Sequence, residues 1–291
     1  MSVRNTVTAL TFLAALSAPT VAIAADHQRT LVLSSPWNVD YARDSCALRA
    51  AFGTGPSKVI LELRQYSPLD TFDAAVASAG FGGGLTAVKV RFAPNGQLRL
   101  DPSMSRLTFS NGMVGVTWLE SFLPLPLKPQ DPKERITERD ASEKAVTGIE
   151  LAGGIKPTIL LATGEMHIPM NAMRKCTDEL VTHWGIDAAA QRTLSKEVKP
   201  VDQIKWAQVL QNNYPPEMVA QSKSGIVRVR LIVGPDGRTT SCHIQVPSQD
   251  PSFETTTCKK LMKVSKFEPA VDANGKPVAS YFVTKVVFSV N

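Results

Sequence analysis

Four cysteines, Cys46, Cys176, Cys242 and Cys258, carry the most definite chemistry in this chain. An even set of thiols closes disulfides in an oxidising compartment, or ligates metal where two stand at short spacing such as C-x-x-C. No pair has that spacing, so no metal site is expected. Three pairings are open on paper, and keeping each bond within one part of the chain favours Cys46 with Cys176 and Cys242 with Cys258. The histidines, His27, His167, His183 and His243, are scattered singly. Glu165 and His167 are two apart, hence on one face of a strand, but have no third group to make a mechanism. The Gly80–Gly84 cluster lacks the Lys and Ser/Thr of a phosphate loop and reads as a mobile turn or bulge, and no G-x-S-x-G nucleophile elbow occurs. These absences point to a binding protein, with neither an enzyme nor a cofactor expected.

The residues around these groups suggest where the chain works. Residues 1–24 have one charge at Arg4, an apolar run from Val7 to Leu16, Pro19 and then small residues, which is the layout of a secretory signal peptide cleaved after Ala24. Thr8, Thr11, Ser17 and Pro19 interrupt the run before it reaches the roughly 20 apolar residues a membrane helix needs. The expected location is therefore the periplasm, the alternative being an inner-membrane anchor facing it. A content of 43% apolar residues suffices for a core, and the formal charge of +6, or +5 without Arg4, is too dilute to argue for nucleic acid. Contact with a membrane surface would be peripheral at most.

The fold class expected is α+β, with a β-rich domain over 26–190, a linker over 191–203 and a small domain over 204–291. Thr30–Leu33, Val59–Leu63, Leu85–Phe92, Leu98–Leu100 and Ile159–Ala162 are strand candidates. In Ala87–Phe92 the residues Val88, Val90 and Phe92 alternate with Ala87, Lys89 and Arg91. Met170–Trp184 is the one helix of this part, with Met173, Cys176, Leu180 and Trp184 in a stripe and Gly185 to end it. Leu123–Asp140, charged and dotted with prolines, reads as an exposed loop.

After Trp206 the pattern becomes regular. Val227, Val229, Leu231 and Val233 alternate with Ile226, Arg228, Arg230 and Ile232, Gly234-Pro235-Asp236-Gly237 makes a hairpin turn, and Arg238–Val246 returns. Asp250-Pro251 opens a helix to about Ser265 with Phe253, Thr257, Leu261 and Val264 as its core stripe and Lys259, Lys260, Lys263 and Lys266 outward. Tyr281–Val290 is the last strand, which makes the order β-β-α-β.

Tyr214-Pro215-Pro216, the Gly225–Leu231 strand, Pro235-Asp236-Gly237-Arg238, the helix, Phe267-Glu268-Pro269 and a final alternating strand occur in the order found in the C-terminal domain of the TonB energy-transducer family. Residues 203–291 resemble that domain; the first domain resembles no family we can name. The resemblance implies recognition of an extended peptide of an outer-membrane receptor by sheet-edge addition, and a link to transmembrane transport. It carries the peptide-binding role to Gln211, Tyr214 and Pro215 before the first strand, and to Tyr281, Val283, Val286 and Phe288 on the last. Transducers of this family have an uncleaved N-terminal helix and a long proline-rich spacer, and neither feature is read here. The alternatives are an energy transducer with a retained anchor and an envelope hydrolase with a TonB-like accessory domain.

Overall fold

Alternation explains the strand Val59–Gln65: Val59, Leu61, Leu63 and Gln65 are buried and the residues between them only partly so. The structure, a computed structural model, describes residues 28–82, 85, 87–123, 132–248 and 250–290. The expected leader, and residues 83–84 of the glycine cluster, lie outside these. In chain order the first part comprises β1 (Arg29–Val32), β2 (Asn38–Tyr41), β3 (Cys46–Phe52), β4 (Val59–Gln65), β5 (Thr71–Ser78), β6 (Val88–Ala93), β7 (Arg99–Leu100), β8 (Ser105–Thr108), β9 (Val114–Ser121), α1 (Pro132–Ala145), β10 (Gly148–Gly153), β11 (Ile159–Ala162) and α2 (His167–His183). One sheet runs β2-β3-β4-β5-β9-β8 and the other β1-β11-β10-β6-β7, with β1 parallel to β11. Phe52, Leu61, Leu63, Phe72 and Trp118 from the first sheet and Val88, Val90, Ile149, Leu151 and Leu161 from the second share one apolar core. Helix α2 adds Met170, Met173 and Leu180 to that core, and the Cys46–Cys176 disulfide fastens it to β3.

The second part comprises α3 (Ala188–Arg192), β12 (Lys199–Val201), α4 (Gln203–Gln211), α5 (Pro216–Ala220), β13 (Gly225–Val233), β14 (Thr239–Val246), α6 (Pro251–Val264), β15 (Lys266–Glu268), β16 (Ala270–Val271), β17 (Pro277–Val278) and β18 (Ser280–Phe288). β13 is the middle of a sheet ordered β14-β13-β18, antiparallel throughout. A separate core gathers Trp206, Leu210, Val227, Val229, Leu231, Phe253, Leu261 and Phe288. The fold is thus α+β, a β-rich first part followed by a small domain in which one long helix covers a sheet. No helix among the described residues is long and apolar enough to cross a membrane.

Three readings of the sequence need correction. The loop expected over Leu123–Asp140 is outside the described residues at 124–131, and beyond them the chain forms α1. That helix has no regular apolar stripe and is held by charge: Arg135 stands 3.3 Å from Asp70, and Arg174 stands 2.7 Å from Glu143. The strand expected from Leu85 begins only at Val88, after Ala87 at φ 58°. The supposedly loose stretch 191–203 is tied to the small domain, because Ser195 N–H donates to Val271 O at 2.9 Å and β12 pairs with β15.

Candidate functional site

The small domain is built on β13. Val227, Val229, Leu231 and Val233 are fully buried beneath α6, whose Phe253, Thr257 and Leu261 face them. Asp250 starts α6 by accepting a hydrogen bond from Ser252 N–H at 3.0 Å, with Pro251 in the first turn, where its missing donor does no harm. In the turn, Gly237 holds φ 75°, and a Cβ there would lie 2.1 Å from Phe267 O, so both conformation and space require glycine. The Cys242–Cys258 disulfide ties β14 to α6 over a separation of 16 residues. Alanine at both positions is expected to lower stability by about 3 kcal/mol on the chain-entropy argument. Urea unfolding of the double variant checks this, and a loss below about 1 kcal/mol would refute it.

β18 is the edge strand. Its nine residues pair with β13 from Gly225↔Phe288 to Val233↔Ser280, and no other strand among the described residues pairs with it. β14, the opposite edge, is engaged at both ends: Arg238 bridges to Lys266, and Gln245 Nε2 donates to Tyr66 O at 2.8 Å. An edge strand presents unpaired N–H and C=O groups, and β18 does so over the greater length.

The residues assigned from the resemblance lie around this edge in different roles. Val286 and Phe288 point into the core, and Tyr214 packs edge-on against Phe253 and Phe288 at 5.6 and 5.4 Å between centroids. Tyr214 also donates its hydroxyl to Lys223 O, which fixes the entry of the chain. Pro215 caps α5. Gln211 ends α4 and donates from Nε2 to Ser289 O at 3.1 Å, bracing the far end of β18. Tyr281 stacks edge-on with Trp184 at 5.0 Å, and burial pushes its phenol pKa up. Val283 is half-buried. These side chains are therefore largely committed within the protein, and what β18 offers a partner is its backbone. Beside it lies a pair that sequence reading did not single out: Ile226 and Val287 face each other across β13 and β18, 59% and 61% exposed. Their only signal in the sequence is their position opposite the core-facing set.

The outer face of this sheet meets the first part of the chain. Arg228 pairs with Asp73 at 2.6 Å and lies over the Tyr66 ring at 3.9 Å, and Lys285 reaches Asp73 at 3.4 Å. On the helix, Lys260 donates to Asn213 Oδ1, while Lys259 and Lys263 are exposed.

The groups considered for catalysis or metal binding are placed elsewhere. His167 begins α2 and has Glu143 as its neighbour; Asp140, Glu143 and His167 offer ligand atoms within 4.8 Å of one another. Arg174 already clamps both oxygens of Glu143 at 2.7 and 2.9 Å, and Arg139 stands 3.3 Å from Asp140. This is an ion-pair cluster joining α1 to α2, in which a cation would have to displace guanidinium groups. At Gly80 a Cβ would stand 2.4 Å from Pro56 O, so that glycine serves a close backbone approach.

Residues 211–290 match the model of the family described as Gram-negative bacterial TonB protein C-terminal. The match begins at Gln211 and takes in the whole β14-β13-β18 sheet with α6. A search of curated proteins finds no match for the chain. The small domain is thus of the TonB C-terminal type, a cell-envelope domain associated with protein interaction.

Proposed function

We propose that this is a periplasmic binding protein that takes an extended peptide from an envelope partner, of the outer-membrane receptor kind, as an added strand along β18. The free edge of β18 carries the reading. With Val286 and Phe288 turned inward, affinity comes from main-chain hydrogen bonds, and the exposed Ile226 and Val287 offer an apolar contact for one side chain of the peptide. Binding rather than catalysis is the role, and no cofactor takes part.

Proline at Val286 or Phe288 is a poor test, since both side chains stand in the core. Altering the peptide is cleaner. Receptor-type peptides carrying one N-methyl group at successive positions, titrated into the mature oxidised chain, are expected to lose roughly five- to tenfold in affinity at every second residue and little at those between. Neutralising Lys259, Lys260 and Lys263 together should leave affinity nearly unchanged. Equal tolerance of methylation at all positions, or binding that disappears with the three lysines, would overturn strand addition.

A further inference from the structure

We propose that the cavity at the seam between the two cores is a binding site for a small carboxylate, anchored by Arg230 with Arg43 at its mouth. The cavity, of about 490 Å³, takes Arg43, Asp44, His183 and Trp184 from the first part of the chain and Arg230 and His243 from the small domain's sheet. Arg230 is 11% exposed, and its guanidinium carbon stands 4.3 Å from the centre of the Trp184 ring. Its Nε and Nη1 are buried and donate to no acceptor among the described residues, and the same holds for Trp184 Nε1. The nearest carboxylate does not satisfy them: Asp44 Oδ1 is 3.7 Å from Nη1 and lies closer, at 2.7 Å, to His243 Nε2. Despite that approach, His243 Nε2 makes no hydrogen bond to a described residue. Of the eight buried side-chain atoms without a hydrogen-bond partner among the described residues, four (Trp184 Nε1, Arg230 Nε, Arg230 Nη1 and His243 Nε2) belong to these three residues lining one cavity.

Buried donors without acceptors are destabilising, so a group of them around one space calls for an acceptor-rich ligand. Burial pulls the Arg230 pKa below its ordinary value, Asp44 works against this, and the neighbouring charge of Arg43 adds to the fall. A bound anion would relieve both the burial and the repulsion between the two guanidiniums. Asp44 and Glu179, on the same walls, penalise a doubly charged phosphate more than a planar, singly charged carboxylate. The space leaves room for a small organic body beside Trp184.

The test uses the mature, oxidised chain and follows the indole N–H of Trp184 by NMR, assigned through Trp184→Phe. Butyrate represents a free acid, and N-acetylalanine a peptide C-terminus, each carrying one negative charge; N-acetylalaninamide and inorganic phosphate are the comparisons. Either carboxylate should shift the Trp184 resonance in a saturable way, and which one binds more tightly identifies the source. The amide should not bind. Arg230→Met, which keeps an apolar stem over Trp184, should weaken binding at least tenfold while the ligand-free melting temperature stays at or above that of the parent. Arg43→Gln, at the exposed mouth, should weaken it severalfold without affecting folding. Three results would overturn the proposal: no shift with either carboxylate at roughly 10 mM, an equal or larger response to the amide or to phosphate, or an Arg230→Met chain that melts several degrees lower, which would mark Arg230 as a structural tie. None of these reads the β18 edge, so failure here is distinguishable from failure of strand addition.

Discussion

Alanine at both Cys46 and Cys176 is expected to lower the stability of the β-rich part by about 5 kcal/mol. The bond spans 130 residues, and in the chain-entropy account the constraint on the unfolded chain grows with the logarithm of that length. Both cysteines are buried, at 0% and 1% exposure, so the lost sulfur contacts add to the effect. A loss of this size rivals the whole stability of an ordinary domain, about 5 to 15 kcal/mol. Urea unfolding followed by tryptophan fluorescence checks it, because Trp118 lies in this core. Reductant should destabilise the parent by a similar amount and leave the double variant unmoved at this bond. A loss below about 1 kcal/mol would show that the unfolded chain gains little freedom from the missing bond.

Phe253→Ala is expected to destabilise the small domain by about 4 kcal/mol. The ring is 2% exposed and sits 4.8 Å from Phe288, with Tyr214 on its other flank. Gly225 leaves the space for it: a Cβ on Gly225 would come within 2.6 Å of two ring atoms. Gly225→Ala alone should therefore cost about 1 to 3 kcal/mol through overpacking. In the Phe253→Ala background the same change should be nearly free, and a double-mutant cycle on the folded chain measures that coupling. Additive effects would mean that the glycine and the ring do not meet.

How much of this was legible depended on contrast between the two faces of each element. β13 was plain because Val and Leu alternate with Arg, and α6 because Asp250-Pro251 marks its start and Phe253, Thr257 and Leu261 its stripe. β3 and β5 were not read as strands: β3 is buried on both faces, and β5, which alternates in burial from Thr71 to Val76, places Ala74, Ala75 and Ala77 on both of its faces, so residue type gives little contrast between them. α1 was missed because its support comes from Asp70, far away in sequence, and no regular apolar stripe announced it. The site divides in the same way. The edge strand and both disulfide pairings could be read, whereas the inward turn of Tyr214 and the exposed Ile226–Val287 pair required the packed sheet. In the sequence Arg230 stands only on the strand face opposite Val227, Val229, Leu231 and Val233; the folded chain is what brings Trp184 beneath it.

Along the chain the cysteines come in the order 46, 176, 242 and 258, and each bond joins neighbours in that order. A chain delivered N-terminus first would present Cys46 alone, then Cys176 as its first available mate, and only later the second pair. An oxidant that joins thiols as they emerge would thus produce both native bonds directly, with no wrong pairing to be reshuffled by thiol exchange. Maturation of this protein should accordingly depend on a catalyst of oxidation and be indifferent to one of disulfide isomerisation.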